Sequence, residues 1–348
     1  MIGSRRGARF RMWATWRNRQ AVLAVIALGL SFGVEAVHAI DRNPNPREPL
    51  APLTVPEGLD AEKVALGGLL FSDPILSGMN KLACVSCHDL TAGGTVNVRR
   101  TVGYKGRVHR FNAPTIFNVG NNYRLGWRGD FTSLEDQNER ILLDDNLMAA
   151  TWPDLLARLR QNPAYSARFQ SLYGRPVQRE DLLDAIATFQ RSLTTPNAPF
   201  DRYLAGDLNA LSEKELEGYR LFKDLGCASC HQGSNVGGNM FQKFGIFAPP
   251  PSIDPDNDGD LGRYTLTGVD ADKGVFRVPS LRNVAVTAPY FHNGSVSSLS
   301  DAVEIMARSQ LGRTLSQRDV ESLVAFLNTL TGEYNGHKLQ PAPASSND

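Results

Sequence analysis

The four cysteines of the chain all lie in two five-residue segments of one pattern. The segments are Cys84-Val-Ser-Cys87-His88 and Cys227-Ala-Ser-Cys230-His231. Cys-x-x-Cys-His is typical of c-type haem attachment. The two thiols form thioethers with the haem, and the adjacent histidine becomes the proximal ligand of the iron. The sequence therefore predicts two covalently attached haem c groups.

Two other uses of a Cys-x-x-Cys pair compete with this interpretation. A thioredoxin-like redox pair needs no histidine after the second cysteine, and its βαβ pattern is missing around either segment. A zinc site could take both pairs, but they stand 140 positions apart and each carries the same histidine. Haem attachment is the favoured interpretation, and it leaves no cysteine for a disulfide.

Helical patterns precede both segments and must position them. Residues 67–73 and 218–224 share the pattern Gly-x-x-Leu-Phe-x-Asp, and the second helix opens with a capping box from Ser212 to Glu215. Further helices are predicted at residues 181–193, 299–307 and 317–330, the last with Ser316 as cap and Gly332 as stop. No convincing run of alternating strands appears. The expected fold is all-α, with two cytochrome c-like units.

The first 39 residues have the order of a secretory signal. Six arginines fall within the first nineteen residues, an apolar run covers residues 21–30, and Val37-His38-Ala39 offers a cleavage site. An uncleaved membrane anchor is the competing interpretation, but the apolar run is short for a span of roughly 20 residues. We therefore predict a signal peptide at 1–39 and a periplasmic protein.

Loss of that segment changes the formal net charge from +1 to about −4. A mildly acidic chain is a poor partner for nucleic acid, which requires a basic face. About 300 residues remain, enough for two domains. We place an N-terminal domain at 40–195 and a C-terminal domain at 196–348, joined through the Pro-containing linker at 194–200.

The sequence resembles the bacterial di-haem cytochrome c peroxidase superfamily, which includes the MauG-type enzymes. The likeness extends from about residue 66 to residue 331. Besides the two haem segments it is carried by residues 70–73, 112–115, 126–127, 193–203 and 281–294. The resemblance implies a peroxide-binding haem on His88, an electron-transfer haem on His231, and possible homodimers.

The resemblance also implies a second axial ligand for the C-terminal haem. The matching residue is Met306, fourteen residues after His292, with Met240 in a glycine-rich loop as the fallback. A thioether ligand raises the reduction potential of haem iron. Without the resemblance, Met306 would be interpreted as a core residue.

Two further roles are implied in the same way. Trp127 matches a tryptophan that relays electrons between the haems, although a buried packing aromatic is the alternative. One Ca²⁺ is expected on Asn112, Thr287 and Pro289, since oxygen ligands suit that ion. The acidic stretch 254–260 begins like an EF-hand loop, but position twelve is Thr265, so we predict a solvated turn there.

The peroxide-binding site departs from the family in two places. Gln137, ten residues after Trp127, matches the glutamine of the family, but Asn146 stands where a glutamate is expected. Asparagine cannot shuttle a proton as a carboxylate does. Asp144 or Asp145 could reach in from a shifted position.

The second departure is the loop that closes the first haem in many relatives. Its histidine comes sixteen residues after the proximal histidine, and that position is Tyr104 here. Tyr104 either ligates ferric iron as a phenolate or stays a phenol over an open site, which we favour. His109 is interpreted as a surface or propionate-facing residue.

The leading functional prediction is a periplasmic di-haem peroxidase that reduces hydrogen peroxide with electrons from a small cytochrome c or cupredoxin. A MauG-like enzyme that oxidises a partner protein is the first alternative, although that type carries tyrosine where this chain has Met306. The second alternative is a pure electron carrier with both irons saturated.

Overall fold

Helices make up most of the regular structure. A computed structural model describes residues 48–250 and 258–343, so the predicted signal peptide lies outside the described residues. The α-helices of these two ranges are α1 (Ala61–Ser72), α2 (Leu134–Leu143), α3 (Trp152–Gln161), α4 (Pro163–Tyr173), α5 (Arg179–Ser192), α6 (Pro199–Leu204), α7 (Glu213–Asp224), α8 (Tyr264–Thr267), α9 (Leu299–Leu311) and α10 (Gln317–Asn328). Within these ranges no helix has both the length and the apolar character needed to cross a membrane.

The sheet content is small. Strand β1 (Phe241–Lys243) pairs antiparallel with β2 (Val275–Arg277), and β3 (Glu333–Tyr334) pairs with β4 (His337–Lys338). Strands of two or three residues are too short to produce a recognisable alternating pattern in the sequence. The predicted helical class is therefore confirmed, with two short antiparallel pairs added to it.

The predicted helix starts agree with the side-chain caps. Ser212 Oγ accepts the N–H of Glu215, and Glu215 Oε2 accepts the N–H of Ser212 at 2.6 Å. Ser316 caps α10 through the N–H of Asp319. Helix α10 ends at Asn328, earlier than predicted, where Thr329 turns its hydroxyl onto the carbonyl of Phe326 at 2.6 Å.

The glycine of the repeated pattern allows two helices to touch before each cysteine segment. A Cβ on Gly67 of α1 would lie 2.1 Å from the carbonyl oxygen of Ala185 on α5. A Cβ on Gly218 of α7 would lie 1.9 Å from the carbonyl oxygen of Ser322 on α10. In both halves, therefore, only glycine permits the close helix packing that leads into the cysteine turn.

Two apolar cores form on these helix pairs. The first is built around α1 and α5, and the second around α7 and α10. Phe71 and Phe222, the aromatic residues of the repeated pattern, lie in the first and the second core respectively. Leu50 packs in the second core and Leu339 in the first. The chain therefore crosses between the cores at both ends, and the domain division at 195/196 stays a prediction.

The linker between the predicted domains is partly buried. Thr195 is 1 % exposed, and its hydroxyl accepts hydrogen bonds from Asn118 Nδ2 at 2.8 Å and Asn283 Nδ2 at 3.1 Å. Asn118 precedes the linker and Asn283 follows it. These three polar residues connect the two halves through a buried hydrogen-bond network.

Candidate functional site

Each cysteine segment folds into one tight 3-10 turn; the second turn closely follows α7, whereas a loop separates the first from α1. In the first, the N–H groups of Cys87 and His88 both donate to the carbonyl of Cys84, at 3.1 and 3.0 Å. The second segment repeats the turn, with distances of 3.2 and 3.0 Å. One short turn therefore carries both thiols and the imidazole in each half.

The thiols are poorly suited to redox exchange. Burial, reinforced by the neighbouring Cys87 thiol, raises the pKa of Cys84 to about 12, and burial raises the pKa of Cys87 and of Cys227 to about 11. Thiol exchange requires the thiolate. All four cysteines are free of disulfides. The thioredoxin-like alternative is therefore disfavoured.

The zinc alternative has no geometric support either. In the parts of the chain that the structure describes, no cluster of three or more histidine, cysteine, aspartate or glutamate side chains is arranged to hold a metal ion. The two cysteine pairs therefore do not converge on one tetrahedral site. Each stays with its own histidine.

His88 is held as a neutral imidazole. Burial lowers its pKa, while the carbonyls of Gly94 and Pro114 act in the opposite direction. Its Nδ1 lies 3.2 Å from the carbonyl oxygen of Gly94, which assigns the proton to Nδ1. The lone pair of Nε2 is then available to a metal, the arrangement that metal-ligating histidines use.

His231 has a different environment. Burial lowers its pKa to about 4, against the opposing carbonyls of Val236 and Pro279. Its Nδ1 is buried and makes no hydrogen bond of normal geometry within the described residues. This ring is also neutral at physiological pH, but its outer nitrogen is held less firmly than that of His88.

A largely apolar cavity of about 280 Å³ lies over His231. Its wall contains the side chains predicted to attach and ligate the C-terminal haem, namely Cys227, Cys230, His231 and Met306. Met240, the fallback ligand, is not among the described residues that line it. The structure therefore brings Met306 to the same cavity as the haem segment.

Trp127 lines the wall of this cavity. Its Nε1–H donates to the carbonyl of Asn112 at 2.9 Å, and its own carbonyl accepts the N–H of Arg277 at 2.9 Å. The indole is thus fixed at both its ring nitrogen and its main chain.

The three predicted calcium ligands border the same cavity. Asn112, Thr287 and Pro289 all contribute to its wall. The Asn112 amide donates through Nδ2 to the carbonyl of Val98 at 3.0 Å. No hydrogen bond within the described residues reaches Asn112 Oδ1 or the carbonyl oxygens of Thr287 and Pro289. These oxygens are therefore available to a hard cation.

Tyr104 lies at the tip of a small hairpin, and Asn146 lies beside this hairpin. The Val102–Val108 pair closes the hairpin, and the N–H of Tyr104 donates to the carbonyl of Leu147 at 2.9 Å. Asn146 is exposed, and its Oδ1 accepts a hydrogen bond from Arg107 Nη1 at 3.1 Å. Asn146 therefore fixes the hairpin.

Gln137 lies on α2, one turn after the cap at Ser133. The neighbouring Asn138 is buried and exchanges two amide hydrogen bonds with Gln190, at 2.8 and 3.0 Å. This pair fixes the turn of α2 that carries Gln137. The half-buried Gln137 amide makes no hydrogen bond with any described side chain, so it is available to a small ligand.

His109 lies beside a second, polar pocket. The pocket is lined by Arg100, Val108, His109, Arg110, Asp144, Asn146 and Asp258. Burial lowers the pKa of His109, and the ring accepts the N–H of Phe111 at 3.3 Å. Asp144 also faces this pocket, whereas Tyr104 is not among its lining residues.

Two buried groups at the cavity over His231 could not be identified from the sequence. Arg277 is 4 % exposed and lines the cavity. His292 is buried, hydrogen-bonded to Asp260, and stacked on Phe276 with ring centres 4.2 Å apart. Asp260 belongs to the acidic stretch 254–260, of which 254–257 lie outside the described residues. No spacing rule links these residues, because folding alone brings them together.

The donor set of each half suits a covalently held haem. Both offer free thiols and a neutral buried imidazole in a single turn, and the second adds an apolar cavity with a thioether. Soft thioether and imidazole ligands match haem iron.

Comparison with known proteins gives consistent matches. The family model described as di-haem cytochrome c peroxidase matches residues 61–209. The chain is 40 % identical over 333 residues to the cytochrome c551 peroxidase of Nitrosomonas europaea, covering 95 % of this chain and 97 % of that protein. It is 40 % identical over 286 residues to the cytochrome c551 peroxidase of Pseudomonas aeruginosa, covering 81 % and 82 %.

A solved structure resembles the fold as well. The crystal structure of a MauG-like protein associated with microbial copper homeostasis matches with a TM-score of 0.71 and 27 % identity, over 83 % of this chain and 95 % of that one.

Proposed function

Since the chain belongs to the di-haem cytochrome c peroxidase family, we propose that it reduces hydrogen peroxide to water with electrons from a small cytochrome c or cupredoxin. It is an oxidoreductase of the cytochrome c peroxidase type. The overall change consumes one peroxide, two electrons and two protons and releases two waters. The secretory pattern of residues 1–39 supports a periplasmic location.

The observation that carries this proposal is the cavity shared by Cys227, Cys230, His231 and Met306. Haem supplies single-electron exchange and, at an open iron, binding of peroxide. His231 and Met306 would hold a haem in this cavity, and that haem would store and pass electrons. In the half of the chain that contains His88, Tyr104 stands at the position of the closing histidine of the family, and we propose that this leaves the first site open to the substrate.

At the first site we assign hydrogen-bonding roles to Tyr104 and Gln137. The Tyr104 phenol donates a hydrogen bond to peroxide, and the Gln137 amide orients it. Asn146 holds the hairpin that presents Tyr104, because its side chain is bonded to Arg107. Asp144 is the candidate for the carboxylate that moves the proton, because its Oδ1 accepts the N–H of Asn146, beside the hairpin, at 2.8 Å.

Trp127 is assigned to electron relay between the halves. Its indole is held at a fixed orientation by Asn112, and both residues border the cavity of the His231 site. A fixed aromatic ring is the kind of group that can pass an electron without moving.

We also propose one Ca²⁺ on Asn112, Thr287 and Pro289. The available oxygens support it, and the hydrogen bond from Trp127 to Asn112 couples this site to the relay. Chelation of calcium should lower steady-state turnover, and Ca²⁺ should restore it but Mg²⁺ should not, because Mg²⁺ demands near-ideal octahedral geometry and gives up its waters reluctantly. Unchanged turnover after complete chelation would contradict the site.

The function is tested by spectroscopy of the oxidised and half-reduced protein together with turnover. We expect one low-spin haem, one high-spin ferric haem, and consumption of peroxide that depends on a reduced small cytochrome c. Two low-spin haems that stay so after half-reduction, with no reaction with peroxide, would instead support the electron carrier.

A MauG-like oxidation of a partner protein is the second candidate. The absence of a glutamate at position 146 and the likeness to a MauG-like structure favour it, while Met306 in the His231 cavity opposes it. Peroxide consumption that needs no external donor and leaves an oxidised side chain on a partner protein would establish it.

A further inference from the structure

Arg277 is a buried cation at the wall of the His231 cavity. It is 4 % exposed, and its guanidinium makes two hydrogen bonds within the described residues, both to main-chain carbonyls. Nε donates to Gly126 at 3.0 Å and Nη1 to Val278 at 3.4 Å. Burial alone lowers the pKa of Arg277 to about 10. The group therefore stays charged at neutral pH without a protein anion beside it.

Arg282 is another buried arginine of this fold, and its guanidinium is paired with a carboxylate. It is 1 % exposed, and its Nη1 lies 2.8 Å from Asp201 Oδ2. Arg277 has no such partner, since none of the carboxylates in the described ranges lies within ion-pair distance of it. An unpaired buried charge is strongly unfavourable. The missing anion must therefore come from whatever fills the cavity.

The position of Arg277 identifies that anion. Arg277 lines the cavity together with His231 and Met306, the two residues proposed as axial ligands of the C-terminal haem. We propose that Arg277 binds a propionate carboxylate of that haem. The inference rests on the proposed function, because it takes the haem as the occupant. A planar guanidinium matches a carboxylate with two parallel hydrogen bonds.

The same residue also reaches the electron relay. The N–H of Arg277 donates to the carbonyl of Trp127 at 2.9 Å, and its Nε donates to the preceding residue, Gly126. Arg277 thus connects the propionate to the segment that carries the indole. It is a positioning residue for Trp127, and a determinant of the reduction potential of the C-terminal haem.

The sign of the effect on the potential follows from charge. In the native protein the guanidinium neutralises the propionate. Without it, a carboxylate stays uncompensated near the iron and favours the ferric state over the ferrous state. The midpoint potential of the methionine-ligated haem should therefore fall in a variant that lacks the cation.

The experiment is a spectroelectrochemical titration of both haems in the purified holoprotein at neutral pH. Arg277→Gln and Arg277→Met remove the charge, the second with an apolar side chain that suits a buried site, and Arg277→Lys keeps the charge. We expect both neutral variants to shift the ferric-to-ferrous ratio of the methionine-ligated haem about tenfold, a fall of about 59 mV. The lysine variant should keep most of the native potential.

Arg308→Gln is the matched control. Arg308 is exposed on α9, the helix that carries Met306, and it pairs with Glu304 at 3.5 Å. Its loss changes the net charge equally and should leave both potentials unchanged. An unchanged potential in the neutral Arg277 variants, or a shift confined to the other haem, overturns the assignment. A native protein without a methionine-ligated haem would overturn the proposed function itself.

Discussion

The two cysteine segments share a pattern, a turn and a glycine-mediated helix pair, yet their histidines stand in different surroundings. The Nδ1 of His88 is 3.2 Å from the Gly94 carbonyl, whereas that of His231 makes no hydrogen bond of normal geometry with the described residues. A firm hydrogen bond to the outer nitrogen makes a histidine a stronger donor to a metal, which favours ferric iron. Met306 lines the same cavity as His231, and the thioether ligation proposed for it would favour ferrous iron instead. The cysteine turns are alike in both halves, and we infer that the different surroundings of the two histidines give the proposed haems different roles.

Replacement of the Met306 thioether should have the largest effect on the difference between the two histidine sites. In Met306→Leu the midpoint potential of the C-terminal haem should fall on the order of 0.1 V, within the ~0.8 V range that axial ligands span. Steady-state peroxide turnover should fall by about 100-fold or more, because the donor can no longer reduce the site. Potentiometry and turnover with a reduced cytochrome c measure both.

The matched control is Met240→Leu, since Met240 is absent from the described lining of the cavity. It should leave the potential and the turnover near native values. If Met240→Leu lowered the potential and Met306→Leu did not, the ligand assignment would be reversed.

A single substitution at Tyr104 should close the His88 site with an additional iron ligand. In Tyr104→His an imidazole is presented from the hairpin tip, and the resting ferric haem should become low-spin, with slow reaction with peroxide until the other haem is reduced. In Tyr104→Phe the site should stay high-spin, and the rate should fall by about 10- to 100-fold as one hydrogen-bond donor is lost. EPR and stopped-flow absorbance distinguish these outcomes.

His109→Ala is the control for this loop. Because His109 lies at the polar pocket, from whose lining Tyr104 is absent, its loss should leave the spin state of both haems unaltered. A high-spin to low-spin change in His109→Ala would mean that the histidine, rather than the tyrosine, controls access to the first site.

The sequence could predict the elements whose cause is local. The cysteine segments, the capping boxes at Ser212 and Ser316, and the helices around them depend on neighbours a few positions away. The repeated glycine was visible as a pattern, but its purpose was not. Gly67 and Gly218 are required because a second helix, more than 100 positions along the chain, places a carbonyl against each of them.

The residues of the candidate site were harder to predict from the sequence for the same reason. Met306 was reached only through resemblance to a family, since a methionine on an amphipathic helix has no signal of its own. Arg277 and His292 become notable only when the fold shows that Arg277 has no carboxylate partner among the described residues and that His292 contacts Asp260. The role of a buried polar residue depends on the residues that it contacts, and these come from distant segments of the chain.

The network at Thr195 holds the two unlike halves together. Thr195→Val removes the hydroxyl that accepts from Asn118 and Asn283, leaving two buried amides without an acceptor. We expect the free energy of unfolding to fall by about 1–3 kcal/mol, measured by chemical denaturation. Thr194→Val, whose hydroxyl makes no hydrogen bond with the described residues, should cost less than half as much. Equal losses in the two variants would mean that the network contributes nothing specific.

The smallest expected effect comes from a carboxylate of the N-terminal half. Glu139 on α2 accepts the Trp152 Nε1–H at 2.9 Å and pairs with Arg179. The hydrogen bond from Arg179, against a weaker effect of burial, lowers the pKa of Glu139. A carboxyl with a lowered pKa stabilises the fold above its unfolded pKa of about 4.5, and the contribution is lost as the pH falls through the folded value.

Glu139→Gln should therefore lower the free energy of unfolding by about 1 kcal/mol at pH 7, and the difference from the native protein should shrink as the pH falls below about 4.5. Denaturation at a series of pH values measures it. Glu321→Gln is the counterpart in the C-terminal half, where Glu321 joins α10 to Lys214 of α7 through an exposed pair. Solvent screens that pair, so its loss should change stability much less. A pH-independent difference for Glu139→Gln would place the effect in packing against Trp152 instead of in the charge.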